Sequence, residues 1–264
     1  MRVPAILEGK LSLAARNASE PLIVAVADAR QAIRSTELHS HARGQITAIR
    51  RGVVTAGTET EAWVVPPDHA VWMPPHQLHF GYSHGLFDSW SCYVAEPSCA
   101  GLPERPCTIR ASGLLREAVL HAASWQDPVL DERRLRVALI ILDELHAAPV
   151  ESFSLPMPKD PRLLRIARAL LNDPGDRRGM DAWASWAAVS ERTLSRRFAA
   201  ETGYSYTAWR QRVRLMRSLE LLADGAPVTT VALDLGYDSV SAFIALFRRT
   251  LGMTPSAYFG RYQR

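Results

Sequence analysis

The chain has 264 residues, 47% of them hydrophobic and 22% charged, with a formal net charge of +4. This is the composition of an ordinary globular protein, long enough for two domains with a core each. The start lacks a signal-peptide layout and no apolar run reaches about 18 residues, which argues against secretion or a membrane span and for the cytoplasm. Cys92, Cys99 and Cys107 are odd in number and lack CxxC spacing, so they are expected as free thiols in a reducing compartment. The charge is unevenly placed. From Asp160 onward there are 16 Arg and Lys against 10 Asp and Glu, a balance of +6, while the preceding residues carry −2. A basic final third points to a polyanionic partner for that part alone.

Residues 22 to about 96 have the texture of a β domain. LIVAVA, QITAIRRGVVTA and EAWVVPP are short β-branched runs separated by Gly57, Pro66, Pro67 and Asp68. Pro74 and Pro75 break the chain before a further run from His79 to Tyr82, and strands at such close spacing predict a sandwich or barrel. Within this region lies HSHARGQ, residues 39 to 45. Side chains alternate along a strand, so His39 and His41 point to one side and Gln45 shares their parity.

Near residue 110 the period changes. GLLREAVLHAAS and DERRLRVALIILDELHAA repeat apolar residues every three or four positions, with Asp131 as the N-cap of the second helix. Leu135, Leu139 and Leu142 form one stripe, with Ala138, Ile141 and Leu145 beside it. A face that wide needs cover from the β domain or from a second copy, and burial in a homodimer is the preferred reading. APVESFSLPMPKDP follows. Its prolines forbid a continuous helix and predict an extended spacer, ended by Asp160 as N-cap and Pro161 at the first helical position.

The remainder is helical and contains an internal repeat. SERTLSRRFAAETGYS from Ser190 pairs with SVSAFIALFRRTLGMT from Ser239: Leu194 meets Phe243, Phe198 meets Phe247 and Gly203 meets Gly252. Each copy reads as helix, tight turn, helix. In the first copy 181–187 supports, Ala188 to Ser190 turns and 191–201 is the second helix. In the second copy, Thr229 or Thr230 opens the supporting helix, Gly236 turns and 239–250 follows. TAWRQRVRLMRSLELLADG makes one long helix between them, stopped by Gly225 and Pro227, with Leu215, Leu219 and Leu222 spaced for burial. A helix-turn-helix places the start of its second helix in the major groove, and two copies on a rigid helix can address groove segments about one turn apart. Arg192, Arg196 and Arg197 lie on the exposed side.

Residues 160 to 264 resemble the DNA-binding domain of the AraC/XylS family of bacterial transcription regulators. The family's signature is carried by VTTVALDLGYDSVSAFIALFRRTLGMTPSAY, residues 228 to 258, with Gly236-Tyr237, Phe243, Phe247, Gly252 and Thr254-Pro255 in place. The resemblance implies double-stranded DNA as partner, with RNA polymerase added if the chain activates. It puts the base readers of the first motif at Arg192, Ser195 and Arg196, flanked by Ser190 and Arg197. The matching positions of the second motif are Val240, Ser241, Ile244 and Ala245, of which only Ser241 can hydrogen-bond. Ser239, Arg248 and Arg249 complete its DNA-contact candidates.

The spacing from His39 through Gln45 to Gly52, and PPHQLH at 74–79 ending in His79, resemble the two cupin motifs, with Gln where metal-binding cupins usually have Glu. His76 stands where a turn glycine is usual and is expected in solvent. The cupin resemblance covers roughly residues 20 to 95 and implies a small barrel with a ligand site at its mouth. His39, His41, His79 and Gln45 then either hold a divalent transition metal or form a hydrogen-bonded polar cluster lining the pocket of a small-molecule effector. Trp63, Trp72, Phe80, Tyr82 and Trp90 are candidates for its aromatic walls, with Trp63 and Trp72 equally suited to the core. Metal cupins include enzymes, so a metal-dependent cupin enzyme fused to a DNA-binding module is the competing reading. No nucleophile–base pair, phosphate loop or paired carboxylates support it.

The expected architecture is α+β: a cupin-like effector-sensing domain over 1–108, a helical dimerisation segment over 109–148, a proline-rich linker over 149–160 and an all-α DNA-binding domain with two helix-turn-helix motifs over 161–264. The first motif should dominate specificity, because Arg can pair bidentately with guanine O6 and N7, while the second mainly docks on phosphates through Arg248 or Arg249 and its helix N-terminus. Footprinting with Arg196→Ala and Ser241→Ala tests the ranking: Arg196→Ala should lose more sequence discrimination, and the reverse order refutes it.

Overall fold

The computed structural model describes residues 18–30, 35–59, 61–65, 69–127, 129–151 and 154–261, together with Lys10 and Ser12. The described residues form two compact units, the first running to Ser154 without Glu61 and Ala62 and the second taking these two together with the chain from Leu155 onward.

The first unit is an antiparallel sheet with two helices on one face. Its strands are β1 (Ile23–Arg30), β2 (Ser35–His39), β3 (Gly44–Gly57), β4 (Glu61–Val65), β5 (His69–Met73), β6 (His79–Val94), β7 (Cys107–Arg110) and β8 (Val150–Glu151). The long strand β6 pairs with β3 along most of its length; β1 joins it through residues 87–94 and β2 through residues 79–82. β5 and β4 pair with β3, and β7 and β8 extend the sheet beyond β5. The β3–β6 register shifts between Ile49 and Val53, and such irregularities bend and twist a strand pair.

Alternation divides the sheet into two faces. Ile23, Ala25, Ile46, Ala48, Ala70, Trp72, Trp90, Cys92 and Val94 face α1 (Gly113–Ala123) and α2 (Glu132–Ala147), and form one core with Leu115, Val119, Ala122, Ala138, Ile141 and Leu145. Large apolar side chains buried this fully contribute about 1.5–3 kcal/mol each, before the entropy of ordering them. The intervening residues, Val26, Gln45, Thr47, Val71, Met73, Ser89, Ser91 and Tyr93, line a cavity on the other face. Gly44 allows the sheet to close against its helices: a Cβ there would lie 2.2 Å from the Trp72 ring.

Both helices are capped as their sequences require, Ser112 accepting from Leu115 N and Asp131 from Arg134 N. On α2, Ala138, Ile141 and Leu145 are buried by the sheet, whereas Leu135 and Leu139 are 40% and 47% exposed. The expected stripe is therefore split: Leu142 packs against the core and its two partners remain outside.

The described part of the proline-rich segment is not a free spacer. Val150 and Glu151 pair with Ile109 and Thr108, and Arg110 N donates to Pro149 O at 3.2 Å. Beyond the change of unit, Ser154–Pro156 is a further strand, β9, and Leu155 is buried in the core of the second unit.

The second unit is all helical: α3 (Pro161–Asn172), α4 (Met180–Trp186), α5 (Glu191–Thr202), α6 (Tyr206–Ala223), α7 (Val228–Asp234), α8 (Val240–Leu251) and α9 (Pro255–Arg261). Asp160 caps α3 through Arg162 N with Pro161 in the first turn. Trp183, Leu194, Phe198, Trp209 and Val213 share a core with Leu163, Ile166 and Leu170. One boundary differs from expectation: α7 starts at Val228 behind Pro227, because the proline both ends one helix and fixes the backbone that opens the next.

His146 ties the end of α2 to a neighbouring loop. Its Nδ1 lies 2.7 Å from Leu142 O and its Nε2 3.0 Å from Ala100 O. Both partners only accept, so the doubly protonated ring satisfies both, and these bonds raise its pKa, that to Ala100 first. A raised folded pKa contributes stability that is complete below about pH 6.5 and is lost as pH rises through the folded value. The thermal midpoint should therefore fall from pH 6 to pH 8 by a small amount, since the ring is exposed, and the slope should flatten in His146→Gln.

Candidate effector site and DNA interface

The candidate effector site lies at one end of the cavity on the polar face of the sheet. Its volume is about 330 Å³ and its walls come from β1, β2, β3, β5 and β6. His39 ends β2, His41 follows it and His79 begins β6, where His39 and His79 are register partners. One nitrogen from each ring lies within 4.8 Å of the others. Gln45 completes the cluster, with Oε1 2.9 Å from His41 Nε2 and 3.1 Å from His79 Nε2. All four residues expected from the sequence are thus brought together.

The imidazoles are held alike. His39 Nδ1 lies 2.7 Å from Glu37 O, His41 Nδ1 2.8 Å from Arg43 O and His79 Nδ1 2.7 Å from Gln77 O. A carbonyl can only accept, so each Nδ1 carries the proton and each neutral ring keeps its lone pair on Nε2. This backbone tie is how metal-binding histidines are oriented. Burial lowers the pKa of His41 and pushes His79 down to about 4, which keeps both rings neutral at neutral pH. Three Nε2 atoms and an amide oxygen fit a divalent transition metal, with the amide a weaker ligand than a carboxylate.

The polar set continues into the cavity. Gln45 Nε2 donates to Thr47 Oγ1 at 2.9 Å, and Thr47 Oγ1 lies 2.8 Å from Ser91 Oγ. Asp28, Ser83 and Ser89 line the same wall. These residues were not singled out from the sequence. Thr47 shares the parity of Gln45, a usable signal, but Ser91 and Tyr93 enter through the register Thr47↔Ser91 and Gln45↔Tyr93.

The expected aromatic wall is corrected. Phe80 lines the cavity, while Trp72 and Trp90 have the opposite parity and are buried beneath the helices. Trp63 packs with Ile49, Val54 and Val65, and Tyr82 is exposed. Tyr93 takes their place, 5.3 Å from the His41 ring. His76 is exposed as expected, with φ 63° in the glycine-favoured region and Nε2 3.1 Å from Glu96 Oε1.

The DNA interface is built from two motifs in the second unit. In the first, α4 supports α5 across a turn in which Ala188 takes φ 53°, and Ser190 caps α5 through Thr193 N. In the second, α7 supports α8 across Gly236, φ 70°, and Ser239 caps α8 through Ala242 N. Ser190 and Ser239 therefore have their hydroxyls engaged at helix starts. Arg192, Ser195 and Arg196 are exposed along one face of α5. On α8, Ser241, Ile244, Ala245, Arg248 and Arg249 line one shallow concavity.

Arg197 differs from the other expected DNA contacts. Its guanidinium is ion-paired with Asp160 and lies 3.5 Å from Glu201, and Glu201 also accepts from Lys159 N and Asp160 N. Arg162 beside Asp160 holds that carboxyl down at about 2, with Arg197 adding its charge. Arg197 thus fastens the first turn of α3 to α5.

The two motifs are connected through α6. Arg210 Nη1 donates to Arg178 O at 2.9 Å and Arg214 Nε to Pro174 O at 3.0 Å, both in the loop before the first motif. Arg214 also stacks on Tyr237, 5.5 Å from its ring centre, beside the Gly236 turn of the second motif. One helix therefore grips both motifs. Removing Arg197 should act on folding and not on sequence reading. Arg197→Ala should lower the stability of the DNA-binding unit by about 1–2 kcal/mol, with base preference unchanged in the same footprint that Arg196→Ala alters.

The chain matches two family models, the AraC-like ligand binding domain over residues 22–97 and a helix-turn-helix domain over residues 183–261. It is 33% identical over 228 residues to the HTH-type transcriptional regulator NimR of Escherichia coli K12, covering 86% of this chain and 83% of that protein. It is 34% identical over 103 residues to the HTH-type transcriptional regulator RipA of Corynebacterium glutamicum, covering 39% of this chain and 31% of that protein. Among solved structures, the DNA-binding domain of AdpA in complex with a target DNA is 30% identical, with a TM-score of 0.38 over 40% of this chain and 95% of that one. With a ligand-binding β domain, two helix-turn-helix motifs and a relative similar over most of its length, the chain belongs to the AraC family of transcription regulators.

Proposed function

We propose that the protein is an effector-responsive, dimeric regulator whose β domain holds a divalent transition metal beside a small organic effector, and that it carries out no chemistry of its own. One observation carries the metal reading. Three imidazoles, each with Nδ1 tied to a carbonyl, bring one nitrogen apiece to within 4.8 Å of the others at a cavity end. A bound ion would supply positive charge and an open coordination position there, and the rest of the cavity offers hydroxyls and an apolar wall to an organic molecule.

A second reading is supported by the same residues without a metal. With its amide reversed, Gln45 offers two N–H donors to the Nε2 atoms of His41 and His79, and the cluster is a satisfied polar lining. The enzyme reading has less behind it: the relatives are named transcriptional regulators, and no nucleophile–base pair faces the cavity among its described lining residues.

Dimerisation is supported by Leu135, Leu139 and Ile140, exposed side by side on the outer face of α2. In this reading effector binding changes the dimer, and so changes which half-sites both DNA-binding units reach together; that requires different affinity for the two arrangements. RNA polymerase enters only where the chain activates. Among the described residues no helix is long and apolar enough to cross a membrane.

Two experiments test these readings. Metal analysis after reconstitution with Zn²⁺ should find about one ion per chain in the wild type and none in His39→Ala/His41→Ala; equal content in both refutes the metal site. Leu135→Arg/Leu139→Arg should convert a dimer to a monomer by sedimentation and weaken operator binding, while an unchanged oligomeric state removes α2 from the interface.

A further inference from the structure

We propose that Gly175 and Arg214 form a second joint between the two helix-turn-helix motifs, separate from the packing along α6, and that this joint sets the spacing of the two DNA segments that α5 and α8 reach together.

The joint is made of backbone. DPGD, residues 173–176, is a turn between α3 and α4, in which Asp176 N donates to Asp173 O at 3.2 Å and Gly175 N to Asp173 Oδ1 at 3.2 Å. This turn lies directly against the α7–α8 turn of the second motif. A Cβ on Gly175 would lie 2.1 Å from Asp234 O, and one on Gly236 2.6 Å from Gly175 O, whereas ordinary contact begins at 3.4 Å. Gly236 has φ 70°, so its own turn already favours glycine. Gly175 lies outside the positive-φ region, so only the close approach calls for glycine there.

Arg214 clamps the two turns from α6. Its Nε donates to Pro174 O at 3.0 Å and its Nη2 to Asp176 O at 3.4 Å, while its guanidinium lies 5.5 Å from the Tyr237 ring centre. Each side of the joint is tied to one motif. Asp176 pairs with Arg178 at 2.7 Å, and Arg178 stacks on Trp183 of α4 at 3.7 Å. On the other side the Tyr237 ring lies 5.2 Å from that of Phe243 on α8.

Packing along one helix leaves each motif a pivot about that helix, and a second contact away from its axis removes it. Two reading helices on such a body meet the major groove at one separation. One base pair more or less moves the second segment by about 3.4 Å and about a tenth of a turn. An alanine at Gly175 fits only if the 2.1 Å approach lengthens toward 3.4 Å, and the opposing atom is backbone that cannot swing aside. The displacement therefore passes through close-packed structure to the motifs. Gly175 and Arg214 are positioning residues that act through the placement of α5 and α8.

The test uses the full-length chain and duplex DNA that it selects from a random-sequence pool. One base pair is added or removed between the two segments of the selected site that the chain protects from hydroxyl radicals. In mobility shifts the wild type should bind both altered sites about tenfold more weakly than the selected one. Gly175→Ala should bind the selected site about tenfold more weakly, and its penalty for at least one altered spacing should differ from the wild-type factor by about threefold or more. Base preference in the segment read by Arg192 and Arg196 should stay as it was. An equal loss on all three sites marks a merely structural role and refutes the joint, as does a wild-type profile. Indifference of the wild type to spacing also refutes it, because the motifs then do not bind as one body. If circular dichroism shows Gly175→Ala unfolded, Arg214→Lys, which keeps the charge but loses the fork, is read on the same three sites, and an unchanged spacing profile overturns the proposal.

Discussion

The side-chain alternation of a β-strand is the constraint from which the rest of the sensing unit follows. Each of β1, β3, β5 and β6 gives one set of residues to a dry face and the other to a wet one. The dry set, with Ile46, Trp72, Trp90 and Cys92 at its centre, is closed by Leu115, Val119, Ile141 and Leu145. The wet set lines the cavity. A one-residue slip in register would carry Trp72 and Trp90 into the cavity and the polar set beneath the helices. The helices therefore stabilise the site without touching it, and α2 keeps an apolar face over after its inner side is buried.

In the site itself, hydrogen bonds to the backbone set the chemistry. Three histidines in a sequence have no fixed tautomer, and a His-rich strand is compatible with several roles. Glu37 O, Arg43 O and Gln77 O remove that freedom by claiming every Nδ1 proton. What remains is a cluster of ring nitrogens, which a cation or N–H donors can satisfy. Gln45 can be part of either arrangement, and it is joined to two hydroxyls that line the cavity.

The DNA-binding unit shows the same division between scaffold and readout. Two motifs of similar backbone differ in what they present. α5 offers free guanidinium groups at Arg192 and Arg196, while α8 offers Ser241 among apolar residues, with Arg248 and Arg249 in its last turn. Other arginines are spent inside the domain. Arg210 and Arg214 hold the loop carbonyls before the first motif, and Arg197 holds Asp160. Basic composition thus overstates the surface available to a polyanion, because part of it supplies internal bonds.

Much of this was legible in the sequence. The change from a two-residue to a 3.6-residue period marked the boundary between sheet and helices. Caps at Asp131 and Asp160 appeared where local side-chain oxygens can meet free N–H groups. The 49-residue repeat and Gly236 placed both helix-turn-helix motifs, since these features depend on neighbours a few residues away. The HxH pair is local as well, whereas His79 followed from the resemblance of PPHQLH to a cupin motif and is brought beside His39 only by strand pairing. Long-range register decided the rest. Which tryptophans face the cavity, that Ser91 and Tyr93 stand opposite Thr47 and Gln45, that Arg197 meets Asp160, and which half of the α2 stripe is covered all depend on segments distant in sequence. Periodicity fixes the relative facing of residues within one strand or helix, but only packing against another segment decides which face becomes the inside.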